Sequence, residues 1–543
     1  MATKNFKAIN FDDKTILDQN SAYSCYFSSN ASRSSVTHMY AEEILVSILK
    51  SLSKTDQFTC QRVCKSWSEV ARRFCYEEVT VDNTNTVALL RCFDISRQSM
   101  HPVFLYTKSL NIECCTCPNH EHNLTYEEFE RLIQYCTRLE KLSMTLYSIY
   151  WQYLSNIKDI RLDRIQTLIY PGPYRGRIAR AADGYYGSLY LFRAQLHTLV
   201  IHCSCDSWIQ QSFGHLLNYL SLFPNLKHLS ISAGSQKTMI YLHDLLQACP
   251  TLTKLSFGLD HPFYAPNAIH DELTSYPTLE ELDIYLPKFC MSSLTYIIQR
   301  FTGLRRLVLR IYHGKSHLWT KSMTEYLQRA LIPFLQQSLI EYSVKLDVEG
   351  PNDHIEETIQ TCWFVQDTEA EFDISESRYE RTQLELIKDN DSNHKLYYIA
   401  TWKPTPDSVS PCIRYMKNIG NKLSKLTINN HSFSSHSPDL DTILQFCPFI
   451  RSLTLEGLGP KFHTKIAPRE NVPQHHSLST IELNQIRLLK VKVILELLYV
   501  MAPHIKKMII ANSQLVDYED TIALQNCGGN RVELILNNVY QSF

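Results

Sequence analysis

The sequence predicts an α/β chain: a short helical module near the N-terminus, then a long stack of strand-plus-helix repeats. The parallel strands are expected on the concave side of that stack and the helices on the convex side. Three observations carry this expectation. The unit apolar-x-x-apolar-x-apolar recurs over most of the chain. An apolar stripe at helical spacing separates successive copies. The stretch Tyr40 to Trp67 is denser in paired helical signals than anything after it.

Residues 1–37 lack aliphatic periodicity, and Ser21 to Ser35 is rich in Ser and Asn, so a disordered lead is expected. Met1 to Asn20 has no apolar core, which argues against a secretory signal. In the next segment Ile44, Leu45, Ile48, Leu49 and Leu52 form a helical stripe. Ser53 to Asp56 interrupts it, with Ser53 or Thr55 placed to cap a second helix. Phe58, Val63, Cys64 and Trp67 continue on further turns. Helices this short are marginal alone in water, so the module needs something to pack on.

These residues resemble the F-box. Its pattern opens Leu-Pro-x-Glu-Ile-Leu, continues with an Ile-Leu pair and an Asp step, and closes Val-Cys-x-x-Trp. Glu43-Ile44-Leu45, Ile48-Leu49, Asp56 and Val63-Cys64-Lys65-Ser66-Trp67 match in order and spacing. Tyr40-Ala41 stands where the pattern has Leu-Pro. The resemblance implies a three-helix module over 38–76 that binds a Skp-type adaptor. Tyr40, Ile44, Leu45, Ile48, Leu49, Val63, Cys64 and Trp67 would make or hold that contact.

From 77 to 543 the repeat governs. Glu77 to Val81 reads as a strand and Thr86 to Ile95 as a helix. Clear copies of the unit begin at Leu139, Leu196, Leu226, Leu252, Leu279, Leu304, Leu423, Ile450, Leu478 and Ile505. Weaker ones are Thr107-Leu110-Ile112 and Ile165-Leu168-Tyr170, with a faint copy at Leu339-Tyr342-Val344. From Leu226 to Leu304 and from Leu423 to Ile505 the spacing is 25–28 residues. The pattern resembles leucine-rich repeats, which pair one strand with one helix. One strand face points inward, and no repeat covers its own face, so neighbours stack into a solenoid. That family's Asn or Cys after the last Leu is mostly missing; Cys115 is the best match. Between Leu309 and Leu423 the register lapses, and three segments within 369–402 alternate with period two around the turn cluster Asp389 to Asn393. They read as a small antiparallel, β-rich insertion near 345–410, or as diverged repeats.

Composition excludes little but directs the reading. The 543 residues are 44% hydrophobic with a net charge of −1, so no nucleic-acid or membrane partner is called for. No apolar run is long enough for a membrane span. Seventeen dispersed cysteines, without a secretion signal, read as reduced thiols in cytoplasm or nucleus; Cys249 and Cys447 read as small core residues. Cys114 to His122 holds soft ligands, yet lacks the separated second pair a zinc site uses, so no metal is expected. Tyr170 to Arg180 is a Pro/Gly segment with three arginines, read as a surface loop over a phosphate-reading one. No spacing indicates an active site or cofactor.

The two resemblances together imply the non-catalytic substrate receptor of an SCF-type ubiquitin ligase, joined through a Skp-type adaptor to cullin and a RING subunit. A scaffold using the same parts outside any ligase is the alternative. An unknown target protein would meet the strand residues that point away from the core. His228, Glu281, Asp283, Tyr285, Arg306 and Arg310 are the candidates, with the acids placed beside the arginines.

Overall fold

The computed structural model describes residues 35–541 apart from intervening segments, the longer of which include 114–123, 170–178, 233–241, 259–274, 350–367, 403–412, 431–439, 458–474, 489–501 and 516–532. The Ser/Asn-rich lead, the Cys114 to His122 cluster with Cys115, the turn cluster at 389–393 and most of the Pro/Gly/Arg segment lie outside the described residues; Ala179 and Arg180 begin a helix. The chain forms two compact units. The first comprises 1–236 with 244–252, and the second 237–243 with 253–543.

The first unit starts with three helices, α1 (Ser35–Ser51), α2 (Lys54–Cys60) and α3 (Lys65–Glu77), and α3 runs straight into strand β1 (Glu78–Asp82). Strands β2 (Ser109–Glu113), β3 (Lys141–Met144), β4 (Thr167–Ile169), β5 (Thr198–His202) and β6 (His228–Ser232) follow, each parallel to the one before. The weak copies at Leu110 and Leu168 are thus true strands. Alternation puts Leu110, Ile112, Leu142, Met144, Leu199, Ile201, Leu229 and Ile231 inward, all buried. A shared backbone device sets the register. The carbonyls of Lys108, Glu140, Gln166 and His197 each accept two successive amides from the following repeat. Between β2 and β3, Thr125 and Glu128 form a capping box on helix Tyr126–Tyr135.

The second unit repeats this plan in β7 (Lys254–Gly258), β8 (Glu281–Leu286), β9 (Arg306–His313) and β10 (Glu341–Glu349), all parallel. The period-two segments are β11 (Thr368–Glu376), β12 (Arg381–Lys388) and β13 (His394–Trp402). They lie within the sheet, between the parallel strands. Order across the sheet is β10-β12-β13-β11-β14, with β14 at Leu423–Asn430. Only β12 runs antiparallel to its neighbours. A short link joins β12 to β13, which suits an antiparallel pair. Strand β11 crosses to the far side of β13 and restores the parallel direction. The inward faces remain apolar: Phe372, Leu384, Leu396 and Tyr398 are buried, and Phe372 meets Tyr398 edge-on at 5.6 Å. Parallel stacking then resumes through β15 (Ser452–Glu456) and β16 (Thr480–Asn484). After β17 (Arg487–Leu488) it continues with β18 (Lys507–Ala511), then past β19 (Gln514–Leu515) with β20 (Glu533–Asn537). Strands β17 and β19 form a small second sheet with β21 (Tyr540–Gln541).

The turn into several strands packs a buried residue three places before the first apolar position, as at Cys136, Cys249, Phe301 and Cys447. His475 takes the same place: its Nδ1 accepts from the Leu478 amide, and its Nε2 lies 2.7 Å from the Cys447 carbonyl oxygen. Burial pushes the thiols of Cys136, Cys249 and Cys447 up to about 12, against a slight lowering by Thr107 at Cys136. Since the thiolate is the reactive form, mild alkylation of the native chain should label exposed Cys64 and spare those three until denaturant is added. Peptide mapping that finds Cys249 labelled as fast as Cys64 would contradict their burial.

Neighbouring repeats approach most closely at two glycines. A Cβ on Gly303 would lie 1.9 Å from the Pro277 carbonyl oxygen, and one on Gly420 would lie 2.2 Å from that of Phe446. Both obstacles are backbone, so they cannot swing aside. Gly303→Ala should therefore cost about 1–3 kcal/mol, read as a lower denaturation midpoint; an unchanged midpoint would refute the close approach.

Candidate functional site

The N-terminal module is built by dividing one apolar stripe between two faces. Leu45 and Leu49 turn inward and form a core with Val70 and Ala71 of α3, against which Val46, Leu52, Cys60, Trp67 and Phe74 pack. Ile44 and Ile48, each one residue earlier and therefore about 100° round the helix, turn outward. Ile44 is 62% exposed, Ile48 41% and Val63 61%. Cys64 is exposed too, at the N-cap of α3. Ile44 and Ile48, with Glu43, Ser47 and Ser51, line a shallow open groove along α1. The backbone of Tyr40 is helical, and its side chain lies outside the described residues.

Polar side chains fix the angle at which the groove is presented. Ser53 caps α2, accepting from the Asp56 amide and donating back to its carboxylate at 2.6 Å. Buried Gln57 donates to the Leu49 and Leu52 carbonyl oxygens at 2.8 and 3.3 Å, closing the end of α1 against α2. Lys54 donates to the Phe74 carbonyl oxygen near the end of α3, and Arg73 pairs with Glu42 at 2.8 Å. Gln57 and Arg73 were not legible as site-shaping residues, because their partners are set by packing and not by spacing.

The candidate adaptor contacts therefore separate. Ile44, Ile48, Val63 and Cys64 stand on the surface. Leu45 and Leu49 are core residues, and partly buried Trp67 packs on that core, so these three fall among the residues that hold the helices.

The candidate target residues also separate. His228 is exposed on β6 in the first unit, with Nδ1 3.5 Å from Thr198 Oγ1. The other five share one face of β8 and β9 in the second unit. Lys254 pairs with Glu281 at 2.7 Å, Arg306 reaches Glu281 at 3.6 Å and Glu341 at 3.1 Å, and charge alternates across β7 to β10. Arg310 forks onto Asp283 at 2.9 and 3.3 Å, while Tyr285 stands opposite Arg310 in register. The expected pairing of acids with arginines is present. Exposed pairs of this kind contribute only about 0–1 kcal/mol each. Among the described residues no group of three or more Asp, Glu, His or Cys could hold a metal, and no helix is long and apolar enough to cross a membrane.

Residues 42–78 match the F-box-like family model. The match covers the helices that carry the exposed stripe, so the chain has a helical F-box-like domain followed by parallel-strand repeats. No curated protein matches the chain. Solved structures similar to it include a complex of TLR13 with ssRNA13, at 12% identity and TM-score 0.36, covering 80% of this chain and 60% of that one. Rad7 in the yeast Rad7–Elc1 complex gives 12% and 0.22, covering 93% and 98%. The Toll–Spatzle complex of Drosophila gives 11% and 0.34, covering 78% and 54%. The chain thus spans little more than half the length of the first and third of these.

The split stripe makes a sharp stability prediction. Leu45→Asp should unfold the F-box-like domain, at a cost of about 3 kcal/mol or more. Ile44→Asp should leave its thermal transition within about 0.5 kcal/mol of the parent. Calorimetry that ranks the two variants equally would contradict the assignment of faces.

Proposed function

We propose that this chain is the substrate-recognition subunit of an SCF-type E3 ubiquitin ligase, working in cytoplasm or nucleus. The F-box-like domain docks on a Skp-type adaptor, which links it to cullin and a RING subunit. The repeats hold the target protein, and a separate conjugating enzyme supplies the ubiquitin chemistry. The chain itself binds and orients. The observation that carries this reading is the apolar surface of Ile44, Ile48 and Val63 on a domain whose core is already complete without them. A helix face that stays apolar while its neighbours are buried is what a protein partner covers. Target contact is assigned to the polar faces of the strands, with His228 in the first unit and Glu281, Asp283, Tyr285, Arg306 and Arg310 in the second.

Burying each isoleucine is worth about 1.5–3 kcal/mol. The double variant Ile44→Asp, Ile48→Asp should therefore weaken capture of purified Skp-type adaptor by about 100-fold or more while keeping the thermal transition. Its targets should also gain half-life in cells. Undiminished adaptor capture by the folded double variant would remove the reading.

A further inference from the structure

The outward face of the second unit changes character beyond β10. Across β7 to β10 Glu281, Asp283 and Glu341 are matched by Lys254, Arg306 and Arg310, and only farther along β10 does a carboxylate, Asp347, accept from neutral Gln383. Strand β13 presents Tyr397 and then Ile399 outward, the latter 38% exposed. In register, Tyr397 has Glu385 of β12 on one side and Glu371 of β11 on the other. Adjacent strands lie about 4.8 Å apart, so Tyr397 stands in register between two glutamates whose backbones are roughly 10 Å from each other.

Both carboxylates are held by neutral donors. Ser343 Oγ donates to Glu385 Oε1 at 2.9 Å, and Asn429 Nδ2 donates to Glu371 Oε1 at 2.8 Å. Neither glutamate makes an ion pair among the described residues. Lys345 stands opposite Glu385 in register and Lys395 opposite Glu369. A neutral donor orients a carboxylate and leaves its charge in place. The ring face between the two adds its own negative quadrupole. Asn429 is 9% exposed, and its Oδ1 is buried without a donor.

We propose that Tyr397, flanked by Glu371 and Glu385, receives a Lys or Arg side chain of a bound protein segment. Ile399, two positions along the strand, takes an apolar side chain two residues from that cation. The partner is an extended basic-apolar segment, and charge complementarity selects it over an acidic one. This deepens the proposed function by giving the chemistry of what the strand face holds, and it rests on that face being the target surface.

The test is equilibrium binding of the full chain to an immobilised peptide Ser-Lys-Ser-Leu-Ser repeated in tandem, against the same peptide with Glu for Lys. The wild-type chain should prefer the Lys peptide and release it as salt rises. Glu371→Gln with Glu385→Gln, and separately Tyr397→Leu, which keeps apolar bulk, should each weaken binding about tenfold with unchanged thermal transitions. Absence of binding, equal binding of the Glu peptide, or binding indifferent to both variants overturns the proposal. Adaptor capture measured on the same preparations separates the two readings. Retained capture without peptide binding removes only this inference, and lost capture with selective peptide binding removes only the ligase assignment.

Discussion

Stacking of inward side chains between neighbouring strands is the interaction on which the rest of each unit depends. In the second unit Leu282 and Ile284 lie in register with Leu307 and Leu309, which lie in register with Tyr342 and Val344. All six are buried. A single strand has one apolar face and nothing of its own to cover it, so the face is buried only where the next repeat arrives in the same register. Backbone geometry enforces that arrival. Before most strands one carbonyl holds two amides of the next repeat, and glycine admits the carbonyl of Pro277 or Phe446 at two close approaches.

This arrangement leaves the other strand face free to vary. With burial secured on one side, outward positions need only avoid like charges in register. The result is an ion-paired stretch over β7 to β10 and an aromatic-acidic stretch over β12, β13 and β11. The F-box-like domain obeys a different constraint. Its helices bury Leu45 and Leu49 against α3 and have no further repeat to stack on, so Ile44, Ile48 and Val63 remain outside. Apolar surface that the strand repeats cover internally is here exposed.

Much of this was legible in the sequence, because periodicity reports burial directly. The apolar unit located β2, β3, β8, β9 and β14, and even the faint copy at Leu339-Tyr342-Val344 is the entry to β10. What periodicity cannot report is which partner a strand takes. The segments of β11, β12 and β13 read as strands by alternation, but their order in the sheet depends on pairings, and alternation is the same for either direction. The stripe at Ile44, Leu45, Ile48 and Leu49 has the same limit: two faces about 100° apart are both apolar, and only packing against Val70 and Ala71 tells them apart. The contact of Asn429 with Glu371 joins residues 58 apart in the chain, with no local signal at either end.

We propose that an adaptor sits on the apolar face of α1 and the turn at Val63. Hydrogen exchange of the full chain, with and without purified Skp-type adaptor, tests it most directly. The account predicts slowed exchange in α1 around Ile44 to Leu52 and at Val63 to Lys65, with β7 to β10 unchanged. Exchange in α1 that the adaptor leaves untouched, or protection confined to the strands, would contradict it.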